Sequence, residues 1–356
     1  MSEKIKTAVI GVGVGKAHIR GYLACPEAEL IGICDIDEKR LRQTGEQLGI
    51  PVKNQYTDVD KLLALPELQA VSVTLPNHLH APITIAALKA GKHVICEKPL
   101  ARNAVEAQSM VDAAKQASRQ LMVCFNYRFR EDTRWIKSLT DQGKMGRIYF
   151  AKAGWLRNSG IPGWGGWFTQ KDKAGGGPLI DLGVHVLDLT LWLMGYPKPV
   201  SVTGTTFAEF GPRGRKTWRP GGAEGKYEVE DLAAGFVRFE NGSALTIETS
   251  WASQTKAGRD DYFVTLYGTE GGTELYVPNY SDHDTVKFFT DEGGHPVDVI
   301  PNIHVSGGHE RAISHFVQCV QENRPPEAPG EQGVTLLKVI DGLYESARIG
   351  SEVNLT

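Results

Sequence analysis

Three groups of residues in this chain have types and spacings that could do chemistry. The first is Cys96-Glu97-Lys98-Pro99-Leu100, which follows the apolar run Lys92-His93-Val94-Ile95 and precedes a helical pattern from Asn103 to Ser118. Strand, polar tripeptide and helix make a turn at the carboxyl edge of a parallel sheet, where open α/β folds bind ligands. Proline restrains the residue before it to extended conformations, so Lys98 is expected to face a ligand from a stiff segment. The second group is Gly11-Val12-Gly13-Val14-Gly15-Lys16, between an apolar strand (Ile5 to Ile10) and helical character from Ala17 to Ala24. Glycines there let the backbone approach a pyrophosphate whose charge sits on a helix N-terminus. The third is Asp181, His185 and Asp188, spaced i, i+4 and i+7 on an otherwise apolar helix expected over 179–194, after Gly175-Gly176-Gly177-Pro178. A carboxylate and an imidazole one turn apart can orient each other and serve proton transfer near neutral pH.

These groups need elements to hold them. Leu30 to Cys34 reads as a second strand ending in Asp35, about twenty residues past the glycine run, where a carboxylate accepts hydrogen bonds from an adenosine ribose. That carboxylate would repel a 2'-phosphate, so NAD is expected over NADP, with Lys39 and Arg40 keeping NADP open. The third glycine is out of register: the sixth position of G-x-G-x-x-G is Lys16, and Gly15 comes one residue early. Helical and strand patterns then alternate through 58–65, 70–75, 81–90, 93–96, 103–118 and 121–125. Such alternation specifies a parallel sheet with helices on both faces. The turns after Leu75, Cys96 and Phe125 share one edge with the glycine turn. They bring Leu75, Asn77, His80, Glu97, Lys98 and Arg128 to it. With Gly11, Val12, Gly13, Val14, Asp35 and Arg40, these are the expected cofactor contacts.

After Arg130 the pattern changes to one helix, 132–142, and alternating runs at 148–155, 199–207, 232–239, 243–251, 263–267, 274–277 and 285–290. Asn241-Gly242 and Glu270-Gly271-Gly272 are hairpin signals. Two helical patterns, 310–322 and 333–349, close the chain on either side of a rigid connector, Arg324-Pro325-Pro326 to Pro329. A length of 356 residues suggests two domains. The expected fold class is α/β: a doubly wound Rossmann domain at 1–126, then an α+β substrate and oligomerisation domain at 127–356 with a large open, mainly antiparallel sheet. Helices from about 309 are expected to pack back on the first domain.

A net charge of -3 without a long basic run gives no electrostatic footprint for nucleic acid. Met1 to Lys6 lacks the features of a signal peptide and no apolar run spans a bilayer, so a cytoplasmic protein with no membrane partner is expected. The five cysteines contain no C-x-x-C pair and read as buried free thiols. His78-Leu79-His80 has no Cys, Asp or Glu at ligand spacing, so no metal is expected.

Together, the glycine turn with His18, the runs Thr74 to His80, Ala90 to Val94 and Glu97 to Leu100, and Gly175 through Asp181 and His185 to Asp188 and Trp192 resemble the glucose-fructose oxidoreductase and inositol dehydrogenase (Gfo/Idh/MocA) family over essentially the whole chain. The resemblance implies an NAD(P)-dependent dehydrogenase of sugars or cyclitols, with Lys98, Asp181 and His185 in the positions of the family's catalytic lysine, aspartate and histidine. In that reading His185 takes the proton of a ring hydroxyl as hydride leaves, Lys98 stabilises the alkoxide-like charge, and Asp181 positions substrate and imidazole. Tyr127, Trp155, Arg157 and Trp164 join Asp181 and His185 as expected substrate contacts, because rings suit sugar C–H edges and a guanidinium offers a hydrogen-bond fork. A homodimer or homotetramer packed through the open sheet is expected. Two other functions stay open: an NAD-dependent glycosidase or glycoside 3-oxidase that uses the same residues for transient oxidation, and a non-catalytic sugar or nucleotide sensor built on the same fold. Intact Lys98, Asp181 and His185 argue against the sensor.

Overall fold

The computed structural model describes residues 3–217, 225–306 and 308–356, so the first two residues of the polar lead lie outside it. Two compact units are present: Met1–Asn126 with Gly307–Thr335, and Tyr127–Ser306 with Leu336–Thr356. No helix among the described residues is long and apolar enough to cross a membrane.

The first unit is built on six strands: β1 (Ile5–Ile10), β2 (Ala28–Cys34), β3 (Gln55–Tyr56), β4 (Ala70–Val73), β5 (His93–Cys96) and β6 (Leu121–Val123). Their order is β3-β2-β1-β4-β5-β6 and every pairing is parallel. This is the doubly wound order, in which the chain reverses its direction of build-out between β1 and β4 and leaves a crevice outside the strands' carboxyl ends. Central strands covered on both faces must be apolar throughout, and every residue of β4 is buried. Side-chain caps start the flanking helices where the sequence supplies them: Asp37 accepts from the Arg40 N–H before Glu38–Leu48, and Asn103 from the Glu106 N–H before Ala104–Ala117. The helix Gly308–Gln321 belongs to this unit, with Ile313 packed against Gly21 of the helix Gly15–Ala24. Strand β3, only two residues long, has no apolar alternation and was not anticipated.

Among the described residues the second unit carries nine strands: β7 (Ile148–Arg157), β8 (Pro199–Phe207), β9 (Leu232–Phe239), β10 (Ala244–Ser250), β11 (Asp260–Gly268), β12 (Gly272–Pro278), β13 (Val286–Glu292), β14 (His295–Val299) and β15 (Val353–Asn354). They lie in the order β14-β13-β12-β11-β7-β10-β9-β8-β15. All pairings are antiparallel except β7 with β10. Both hairpin signals connect antiparallel neighbours, β9 to β10 and β11 to β12. Ala151 and Ala153 on β7, Leu245 and Ile247 on β10 and Val264 and Leu266 on β11 alternate inward as core.

The apolar helix expected as one α-helix over 179–194 is two pieces. Leu179–Gly183 is a π turn and Val184–Leu193 is α-helical. Wide turns of this kind recur at functional sites because they change which side chains share a face.

Candidate active site

In the first unit the glycine turn ends β1. Gly11 has φ +94°, which a side chain would strain, and a Cβ there would press on the Thr74 carbonyl. The early third glycine is explained by packing: a Cβ on Gly15 would lie 2.6 Å from Thr74 Oγ1 and 2.9 Å from Val9 Cγ1, so Gly15 sets the close approach of helix to sheet. The helix Gly15–Ala24 has no side-chain cap, and Gly13 and Val14 before it are exposed. An uncapped N-terminus behind an open glycine turn fits a pyrophosphate. Val12, by contrast, is fully buried, and its N–H donates to Asp35 Oδ2 at 2.9 Å.

Asp35 stands at the end of β2 with both oxygens engaged. Arg40 donates to them at 3.1 and 2.6 Å, and the Asp37 N–H adds 2.9 Å. Burial raises its pKa, but Arg40 and the backbone donors outweigh that and hold it below the usual carboxylate range. The Arg40 side chain is 48% exposed.

The turns after β4 and β5 are tied together. His80 is buried, with Nδ1 2.7 Å from the Pro99 carbonyl and Nε2 2.7 Å from the Leu75 carbonyl. Burial lowers its pKa more than the two carbonyls raise it. Asn77 is buried at the start of the helix Asn77–Lys89 and Leu75 is half-buried. Lys98 is half-buried, its peptide to Pro99 is cis, and its backbone N–H donates to Glu97 Oε2 at 3.1 Å.

In the second unit every residue from Leu179 to Leu193 is buried except Asp181 and His185. The helix therefore presents only those two side chains. Trp251 donates its Nε1–H to Asp181 Oδ2 at 2.9 Å. Around His185 stand Tyr127 (ring centroids 4.8 Å apart, edge-on) and Trp155 (5.6 Å), with Tyr262 behind them at 5.1 and 4.8 Å. Below the helix a buried carboxylate that sequence reasoning missed, Glu230, accepts from the N–H groups of Gly177 (2.9 Å) and Leu179 (3.1 Å) and from the Tyr344 hydroxyl (2.8 Å). It caps the π turn through the backbone, since Pro178 and the glycines offer no capping side chain.

Other expected residues are placed differently. Spacing puts Asp188 on one face with Asp181 and His185, yet it is buried against Arg128, which donates to it at 2.9 and 2.5 Å and to the Tyr196 hydroxyl at 3.0 Å. Arg128 has no exposed side-chain surface, so it holds the second unit together rather than offering itself at the cofactor edge. Removing one partner of such a buried pair costs about 3–5 kcal/mol. Arg157 is not an open fork: its Nε is 3.0 Å from both oxygens of Asp260 and one terminal nitrogen donates to Tyr280 at 2.7 Å. Trp155 donates its ring N–H to the same Asp260 at 2.7 Å and is itself buried on β7. Trp164 is half-buried, with its ring N–H on the Gly211 carbonyl at 2.7 Å.

Comparison with known proteins gives this arrangement a family. Residues 5–125 match the GFO/IDH/MocA oxidoreductase family, NAD-binding Rossmann fold, and residues 133–274 match the GFO/IDH/MocA C-terminal domain. The chain is 32% identical to the D-glucoside 3-dehydrogenase of Escherichia coli (strain K12), over 99% of this chain and 98% of that protein. It is 30% identical to the levoglucosan dehydrogenase of Pseudarthrobacter phenanthrenivorans, with the same coverage. A solved levoglucosan dehydrogenase in complex with NADH and L-sorbose superposes with a TM-score of 0.87 at 26% identity, covering 100% of both chains. With an NAD-binding Rossmann domain, and with such relatives matched along nearly its whole length, the chain belongs to the GFO/IDH/MocA family of oxidoreductases.

Proposed function

We propose that the protein is an NAD-dependent dehydrogenase that oxidises a ring secondary hydroxyl of a sugar or cyclitol. The observation that carries the reading is the buried helix whose only two accessible side chains are a carboxylate and an imidazole, faced by the half-buried ring of Tyr127. Flat rings take the C–H faces of a sugar, and the carboxylate takes its hydroxyls. Relatives named for a glucoside and for levoglucosan support a sugar over other alcohols. When bound, the nicotinamide supplies the acceptor for hydride. His185 accepts the hydroxyl proton, Asp181 orients substrate and imidazole, and the Lys98 ammonium stabilises the negative charge that develops on oxygen.

The test is steady-state formation of free NADH from NAD and a panel of glucosides, free sugars and inositols. Sustained NADH release supports a dehydrogenase; a glycosidase with transient oxidation would cleave glycosides without net NADH. Lys98→Met and His185→Ala are each expected to lose about two to four powers of ten in turnover, the size of one lost electrostatic or acid–base group. Turnover left intact in both variants would refute the residue assignment.

A further inference from the structure

One buried polar cluster of the first unit is used by none of these steps. His18, Glu97, Cys124 and His309 each bring a nitrogen, oxygen or sulfur to within 4.8 Å of the others, and the first three residues are buried. The hydrogen bonds run in one direction. Ionised Glu97 only accepts, so His18 Nε2, 2.9 Å from its Oε1, carries the proton. Ser72 Oγ lies 2.9 Å from His18 Nδ1 and 2.9 Å from the Tyr22 hydroxyl. The arrangement that uses every proton once has Tyr22 donating to Ser72 and Ser72 donating to Nδ1. From the other side, Asn126 Nδ2 stands 3.5 Å from His309 Nδ1, which places the His309 proton on Nε2, 3.5 Å from the same Glu97 oxygen.

Burial alone would push Glu97 toward its neutral form. The donors from His18 and His309 outweigh that and hold it well below the ordinary carboxylate range. Burial, with Glu97 beside it, pushes Cys124 well up, so that side chain stays a thiol. A metal centre would need the thiolate and a bare His18 Nε2. The cluster therefore fits a carboxylate clamped by two imidazoles better than an ion site. The clamp has a further contact: the second Glu97 oxygen accepts the Lys98 backbone N–H.

We propose that His18 and His309 are positioning residues that orient the Glu97 carboxylate, which in turn fixes the backbone of Lys98 and so the placement of its ammonium. This rests on the role given to Lys98 above. His309 is the informative half, because its side chain is 32% exposed near the start of the helix Gly308–Gln321, whereas His18 is wholly buried beneath Tyr22 and Ser72. Nothing in the GFO/IDH/MocA match or the relatives' names assigns it a part.

His309→Ala is expected to lower kcat about tenfold, the loss of one hydrogen bond to a charged group, with the KM for NAD changed less than about twofold. His309→Gln keeps an N–H donor and should fall between. Added imidazole should restore part of the His309→Ala rate. The deciding measurement is the same substitution in a Lys98→Met background, where it should cost nothing further because its effect passes through the lysine. An equal loss in both backgrounds, no loss in either, or a chelator that reproduces the His309→Ala rate in the wild type would overturn the proposal. If Lys98→Met loses turnover and His309→Ala does not, this inference alone fails; if Lys98→Met keeps turnover, the assignment of Lys98 fails and takes this inference with it.

Discussion

The two side chains expected to select the cofactor were visible one by one but not as a pair. Asp35 and Arg40 were legible as a carboxylate and a nearby cation; that the cation grips the carboxylate with two nitrogens was not. If Asp35 is the ribose acceptor, a ribose would compete with Arg40 for it, and a 2'-phosphate would meet the carboxylate's charge. Asp35→Ser should remove the ribose acceptor and release Arg40 to a phosphate. NAD is then expected to bind about tenfold more weakly, the loss of roughly 1.4 kcal/mol, while NADP binds more tightly. Fluorescence titration of the two nucleotides would show it, and an unchanged NAD-to-NADP ratio would rule out Asp35 as the selector. Arg157 teaches the same lesson: its partner Asp260 lies 103 residues on, beyond any local pattern, so it looked like a free fork. Asp181 and His185 were legible because a buried apolar helix isolates its few polar residues. Arg128 misled because polar turn residues look alike whether they face a ligand or a buried carboxylate.

Among the elements, the helix bearing Asp181 and His185 depends on how it begins. Periodicity located it, but an i, i+4 count does not distinguish a π turn from an α turn, so the widened turn at Leu179–Gly183 was invisible. Its cap comes from Glu230, some fifty residues downstream, at the point where a charged pair precedes the apolar strand β9. Glu230→Gln keeps the shape but replaces one acceptor with a donor that faces a backbone N–H. A buried donor left unmet costs about 1–3 kcal/mol, offset in part because burial already raises the pKa of Glu230 and penalises its charge. Turnover should fall while the KM for NAD is unchanged, since the glycine turn belongs to the first unit. Tyr344→Phe, which removes only the hydroxyl donor, should act in the same direction more weakly. Unaltered turnover in both variants would reduce Glu230 to a folding residue.

At the scale of the whole chain, the alternation of strands and helices before Asn126 was enough to anticipate a parallel doubly wound sheet, because each step is local and connections are right-handed. The second sheet was legible as mainly antiparallel from its hairpins, but its parallel β7–β10 pair joins strands almost a hundred residues apart and leaves no local trace. Register puts a row of aromatic side chains on the face of this sheet opposite the core. Phe150 pairs with Tyr267 and Phe263 with Tyr276, while Phe236 lies across Thr246 from Lys152. None of these five rings is buried in the single chain. A row of half-buried rings with Tyr276 exposed leaves apolar surface in water, and a sheet face can cover itself by pairing with its own copy about a two-fold axis. The expected state is a homodimer, or a tetramer built from such dimers, with these rings at the contact. Multi-angle light scattering should return a mass of at least twice the chain, and Phe263→Lys with Tyr276→Lys should reduce it to that of one chain without loss of helix content by circular dichroism. A wild-type monomer at micromolar concentration would mean that the aromatic row faces solvent. An assembly that survives the double lysine variant would mean that the contact lies on another surface.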